Sequence, residues 1–357
     1  MPNIMEYLTW RGDLNFNQVP INEVDKIILA RFSYLPFKDI KIDDKETIES
    51  IASKMKRVEI QKFIWKDDKK FIEKIGNTQR YKDLIVSDYS EIVELDTQKQ
   101  FAAITIWLPN KYKYISFRGT DTSIVGWKED FNMSFMKNVP SQKEAVRYLN
   151  QVGRKYKNKL ILGGHSKGGN LAVYSALFCD KKIKRKIIDI INADGPGFDK
   201  SVTETENYKE LISKISTYIP QSSVIGMLLE HEEQYQVVKS AQKGIMQHDI
   251  YSWQVSATDL IYVKELTNNS KVINKVIRDW LKNITPEQRE NIINIIYDIT
   301  LDAEAQYLSD FKIDIPKRIK KIVSSYKNIN SEDKKEIEKI MKLLFEITIK
   351  TLKRNRI

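Results

Sequence analysis

The sequence predicts an α/β protein, with a mostly parallel sheet flanked by helices and then a C-terminal helical extension. Three observations predict it. From about residue 86 to residue 262, short apolar runs alternate with helical patterns, as strands of a parallel sheet alternate with covering helices. One run, "KLILGG", ends abruptly at glycines and a serine before an apolar helical pattern begins. After about residue 263 only amphipathic helical patterns remain. The expected division is 1–262 for the α/β domain, with a helical N-terminal segment, and 263–357 for the extension.

In order along the chain, "INEVDKIILARFSYLPF" places Val24, Ile27, Ile28 and Phe32 at helical spacing, with Asn22 as cap and Pro36 as stop. "KETIESIASKMKRV" repeats the pattern with Ile48, Ile51 and Met55. "QFAAITIWL" and "YKYISFRG" read as strands joined by the hairpin "PNK". "SQKEAVRYLNQVGRKY" reads as a helix opened by Ser141, with Glu144 at capping-box spacing. The strand "KLILGG" and the helix "GNLAVYSALF" follow. Then come the strand "KIIDIINADG", the helix "TENYKELISK" and the strands "KISTYIP" and "YQVVKS". In the extension, "KVINKVIRDWLKNI", "TPEQRENIINIIYDIT" and "SEDKKEIEKIMKLLFEITIKTL" read as helices, the second opened by Thr285-Pro286.

Composition excludes several classes. With 41% hydrophobic and 30% charged residues in 357, the chain has the make-up of a globular protein. No apolar run approaches the ~18–20 residues of a bilayer span. "MPNIMEYLTWRGDL" carries Glu6, Arg11 and Asp13 and does not read as a secretory signal. A single cysteine, Cys179, excludes an intrachain disulfide, so the cytoplasm is the expected setting. The net charge is +11, but lysines alternate with acids, as in "SEDKKEIEKIMK", and no nucleic-acid motif accompanies them. Nucleic acid is not an expected partner; a membrane surface is one the charge allows.

Gly164-His165-Ser166-Lys167-Gly168 fits G-x-S-x-G between a strand and a helix. In that setting Ser166 sits on a tight turn, glycines relieve the crowding, and the N-terminal amides of the helix point at the hydroxyl. Such a serine is a nucleophile in need of a base. Of the three histidines, His165 belongs to the motif and reads as structural. His248 follows the last core strand, where the fold that carries this motif supplies its base; His231 precedes that strand and is the alternative. For the acid that orients the base, Asp194 ends a strand at the functional edge of the sheet, and Glu230 and Glu233 follow later. The oxyanion donors expected are the amide of Lys167 and, after the strand ending at Arg118-Gly119, Thr120.

"FRGTDTSIVGWKEDF" together with "GGHSKGGNLA" resembles the fungal-type, or class 3, lipases of the α/β-hydrolase superfamily. Thr120, Trp127, Asp130 and Ser166 match the group's motif positions. "WRGDLNFNQVPINEVDKIILARFSYL", "NADGPGF" and "GIMQHDIYSWQV" are similar to an uncharacterised bacterial lipase-like family over nearly the whole chain. The resemblance implies an α/β-hydrolase fold, and a lid formed from "SIVGWKEDFNMSFMKNVP". The chain departs from class 3 lipases in two places. Gln221-Ser222-Ser223 stands where that group carries its acid; an aspartate one strand earlier is similar to pancreatic-type lipases. Lys167 replaces an apolar residue, and its cation can meet an anionic substrate group or reach solvent. The expected activity is serine esterase or lipase-like hydrolysis of a small-molecule or lipid ester, with no metal or cofactor. The alternative is a non-catalytic scaffold that binds a protein partner or an anionic membrane.

Overall fold

The computed structural model of the chain describes residues 2–303 and 315–354. It contains two compact units, the first comprising Met1–Ile92, Phe101–Gly119 and Ser141–Thr267 and the second Val93–Gln100, Thr120–Pro140 and Asn268–Ile357.

The first unit opens with the helices Ile4–Trp10 (α1), Glu23–Phe32 (α2), Ile48–Met55 (α3) and Asp68–Ile75 (α4), and the short strand Lys45–Thr47 (β1). Asn22 caps α2 by accepting the Asp25 amide, and the Asp25 carboxylate accepts the Asn22 amide in return. The main strands are Ile85–Glu94 (β2), Lys99–Leu108 (β3), Tyr112–Phe117 (β4), Lys159–His165 (β5), Ile187–Ala193 (β6), Ile215–Pro220 (β7) and Tyr235–Val238 (β8). Val255–Ser256 (β9) and Asp259–Leu260 (β10) form a separate hairpin, and Tyr262–Val263 (β11) rejoins the sheet beside β8. The order is β1-β2-β3-β4-β5-β6-β7-β8-β11. From β4 to β8 every neighbour is parallel, whereas β1–β2, β3–β4 and β8–β11 are antiparallel. This is the α/β-hydrolase architecture expected from the sequence.

The crossover helices are Pro140–Lys155 (α6), Lys167–Phe178 (α7), Lys181–Lys184 (α8), Lys200–Thr203 (α9) and Glu206–Leu211 (α10). The two-residue period of β5 divides the core: Ile161 joins the cluster built with Ile27 and Ile28 of α2, and Leu160 and Leu162 join the one built with Leu171 and Leu177 of α7. Side chain-to-backbone bonds tie the N-terminal segment to the central strands. Tyr114 OH donates to the Lys26 carbonyl (2.7 Å), Ser116 Oγ to that of Leu29 (2.9 Å), and Tyr34 OH to that of His165 (2.8 Å). Beside Tyr34, buried Arg31 pairs with buried Asp68, which also accepts from Tyr251 OH at 2.7 Å. Burial works against the Arg31 charge, but Asp68 outweighs it and raises the guanidinium above its ordinary range.

The structure departs from two local expectations. Strand β2 was not anticipated, because its half-buried residues give no clean alternation. Helix α6 begins at Pro140, so Ser141 lies inside its first turn and does not cap it, while Glu144 accepts from Arg147 (2.8 and 2.6 Å).

The second unit holds the helices Ile124–Asn132 (α5), Asn268–Lys282 (α11), Pro286–Asp302 (α12), Ile315–Asn328 (α13) and Ser331–Arg354 (α14). Thr285 caps α12 in a box with Gln288, with Pro286 in the first turn as expected. Helix α13 was not singled out from the sequence. Within this unit, Trp280 Nε1 of α11 donates to the Ile340 carbonyl of α14 (3.3 Å), and Asn291 of α12 donates to Asp333 (2.9 Å) and Glu336 (2.8 Å). The segment matched to a lid forms α5, in which Ile124 is buried while Trp127 and Phe131 are exposed. No helix of the described residues is long and apolar enough to cross a membrane.

Candidate active site

The site is built at the C-terminal ends of the parallel strands of the first unit, from the loops that follow β4 to β8. Strand β5 ends at His165, and Ser166 turns the chain into α7 with φ +58° and ψ −134°. This is a strained conformation for a residue with a side chain. The turn is held by the Ser166 amide, which donates to the Ala193 carbonyl of β6 at 2.9 Å. It is possible only because its flanks lack side chains. A Cβ on Gly164 would lie 2.3 Å from the Gly168 carbonyl carbon, and one on Gly168 would lie 2.2 Å from the Phe117 carbonyl oxygen. Gly119 runs beside the same turn: a Cβ there would lie 3.2 Å from the Ser166 Cβ and 2.6 Å from the His165 carbonyl oxygen.

Asp194 is the first residue beyond β6, fully buried, with φ +50° and its amide donating to the Tyr218 carbonyl at 2.7 Å. Its carboxylate is enclosed by donors. His248 Nδ1 lies 2.6 Å from Oδ2, while Ser223 Oγ donates to Oδ1 at 2.5 Å and the Gly226 amide at 3.1 Å. A carboxylate can only accept, so His248 carries its proton on Nδ1 and presents the Nε2 lone pair. Ser223 and Gly226 lie on the loop after β7, and no sequence signal singled them out as partners of Asp194.

His248 reaches this position on a loop pinned from several sides. His165 Nε2 donates to the His248 carbonyl (2.8 Å), and the two imidazoles lie with centroids 4.4 Å apart and their planes tilted by 34°. Trp253 Nε1 donates to the Gln247 carbonyl (2.9 Å), and Gln247 Oε1 accepts from the Ser222 amide (2.7 Å). Burial first, then the His248 and Arg31 charges, hold His165 well below the ordinary histidine range, so it is a neutral donor. His165 thus has the structural role read from the motif, and the structure gives it a definite partner.

The other candidates have partners of their own. His231 Nδ1 pairs with Glu233 Oε1 at 2.9 Å, and Glu233 also accepts from Thr217 Oγ1 (2.6 Å) and from Tyr208 OH. Burial opposes the Glu233 charge, but His231, Thr217 and Tyr208 outweigh it and hold the carboxyl at about 2. Glu230 pairs through its backbone with Phe198. Lys167 is the first residue of α7, with its amide at the positive end of the helix, and its side chain is almost wholly buried. It therefore does not extend into solvent, one of the two roles the sequence allowed it. In the second unit, Thr120 Oγ1 donates to both carboxylate oxygens of Asp130 at 2.6 Å.

The Mbeg1-like family matches residues 75–298, which is more than half of the chain and includes the serine turn, Asp194 and His248. The chain belongs to the Mbeg1-like family. Members of this family are lipase-like relatives of the fungal class 3 group. Among solved structures this Mbeg1-like chain is similar to M37 lipase, at 20% identity over 56% of this chain and 68% of that one, with a TM-score of 0.35. It is similar to the Rhizomucor miehei lipase–propeptide complex at 17% identity, covering 54% of this chain and 65% of that one, TM-score 0.35. A triacylglycerol lipase from Penicillium expansum follows at 12%, with 50% and 74% covered and a TM-score of 0.31. These likenesses concern the fold alone. No curated protein matches the sequence.

Proposed function

We propose that this Mbeg1-like protein is a serine hydrolase that cleaves a carboxylic ester of a lipid or small molecule through an acyl-enzyme. Residues 1–262 are the hydrolase domain in this reading, and 263–357 are a helical extension. The observation that supports it is the His248–Asp194 hydrogen bond of 2.6 Å, in a unit whose strained Ser166 turns a strand into a helix.

In the proposed mechanism Ser166 Oγ attacks the ester carbonyl as His248 Nε2 takes the hydroxyl proton. The new Oγ–C bond gives a tetrahedral oxyanion. Its charge is met by the Lys167 amide at the start of α7 and by Thr120, acting through its amide because its hydroxyl is committed to Asp130. Collapse breaks the C–O bond, and His248 returns the proton to the leaving alcohol. Water then attacks the acyl-enzyme with His248 again as base, releasing the acid and restoring Ser166. Asp194 keeps the Nδ1–H tautomer and stabilises the imidazolium formed at each step. No metal or cofactor enters this scheme. The cytoplasm remains the proposed setting, which a single cysteine suits.

The test is turnover of short- and long-chain p-nitrophenyl esters by the full chain. The reading expects hydrolysis that Ser166→Ala abolishes with no change in folding. Turnover unchanged in Ser166→Ala, or none by the folded wild type, would overturn it.

A further inference from the structure

The helices α13 and α14 carry an unused pattern. On α13, Ile315, Ile319, Val323 and Tyr326 are all 41–55% exposed and recur at i, i+4, i+8 and i+11, which is one helical face. On α14, Met341, Phe345, Ile349 and Leu352 recur at the same spacing and are 36–64% exposed. The opposite side of α14 is already occupied within its own unit. Ile340 and Thr351 are buried there, and the Ile340 carbonyl accepts from Trp280. So each helix leaves an apolar stripe open.

The charge beside these stripes is strongly positive. Residues 315–354 hold twelve Lys and Arg against five Asp and Glu, a net +7 out of +11 for the chain. On α13 there is no acid; Lys320 and Lys327 border the stripe on one side and Arg318 on the other. On α14, Lys342 and Lys353 border it beside Glu346, and Glu338 lies on its face one turn before Met341, so the positive excess comes mainly from α13. A second copy of the chain would bring another +7 against this face, and a nucleic acid would leave the apolar side chains unsatisfied. An anionic bilayer satisfies both, with headgroups for the lysines and acyl chains for the stripe. Neither helix is apolar enough to cross the bilayer, which fits helices lying in its surface.

We propose that the α13 and α14 faces dock the protein on a membrane rich in anionic phospholipid. Docking rests on these helices and is independent of Ser166. The test is co-sedimentation of the full chain with vesicles of phosphatidylcholine alone and of equimolar phosphatidylcholine and phosphatidylglycerol. Binding to the mixed vesicles should be at least about tenfold tighter and should weaken with added salt. The double variant Ile319→Glu/Phe345→Glu, and separately Lys320→Gln/Lys342→Gln/Lys353→Gln, should each lose about tenfold or more, while Ser166→Ala binds as the wild type does. All the substituted side chains border or form the stripes, and an unchanged melting temperature verifies the fold. Equal binding to both vesicle types, no binding, or variants that bind normally would overturn the proposal. So would a dimer dissolved by Phe345→Glu, or binding to duplex DNA without binding to vesicles.

Discussion

The first unit contains two histidine–carboxylate pairs of similar geometry and different character. His248 and Asp194 are 54 residues apart and meet at the sheet edge; His231 and Glu233 are two residues apart on a single loop. The His248 side chain keeps 19% of its surface in contact with solvent, whereas the His231 side chain keeps 7%. Glu233 spends its remaining bonds on Thr217 and Tyr208, which tie its loop to β7 and α10. Asp194 spends its own on Ser223 and Gly226, which hold the carboxylate toward His248. Further, His231 Nε2 is buried without a hydrogen-bond partner among the described residues, where no substrate proton can reach it. The difference teaches that a histidine–carboxylate contact is not itself a catalytic signal. What separates the two pairs is burial and span: His231 and Glu233 close a local loop and are nearly enclosed, whereas His248 is brought from a distant loop and keeps more of its ring in solvent.

Four substitutions sharpen or break this contrast. The largest effect is expected from Asp194→Asn, which should lower kcat toward p-nitrophenyl esters by about 10⁴ through loss of the correct tautomer. If Glu233→Gln produced that loss in a folded protein and Asp194→Asn did not, the roles would be reversed. Glu233→Gln should instead act on stability. A carboxyl held at about 2 stabilises the fold above its unfolded value, and that contribution disappears as pH falls from about 4.5 toward 2. The variant should be less stable at neutral pH by about 2–3 kcal/mol and show a flatter stability curve over that acid range in chemical denaturation. Next, Ser223→Ala removes one donor to Asp194 and should reduce kcat about tenfold, shifting the pH–rate profile while KM stays constant. The smallest effect belongs to His165→Gln. A histidine held below its ordinary value costs stability as pH drops below about 6.5, because the unfolded chain takes up the proton first. Glutamine keeps the donor to the His248 carbonyl, so urea melts of the variant should lose that slope while activity falls less than about threefold.

The serine turn was legible because its signal is local: a strand, five motif residues and a helix, all contiguous in sequence. Asp194 was legible for the related reason that a strand tip and a tight turn mark it. Ser223 and Gly226 were not, since their contact with Asp194 depends on how the β7 loop folds back over the edge of β6, which no periodicity encodes. The same holds for the Tyr34 and His165 bonds, which join segments 131 and 83 residues apart. Strand β2 was missed because it is buried on neither face along most of its length. In the helical extension, the alternation of lysine with glutamate at "SEDKKEIEKIMK" masked the basic excess of α13, which has no acid to alternate with.

The most direct measurement is intact-mass labelling of the full chain with a fluorophosphonate. The account predicts a single adduct on Ser166, absent from Ser166→Ala, strongly slowed in His248→Ala and formed at the wild-type rate in His231→Ala. A folded wild type that takes up no label, or labelling that depends on His231 and not on His248, would contradict it.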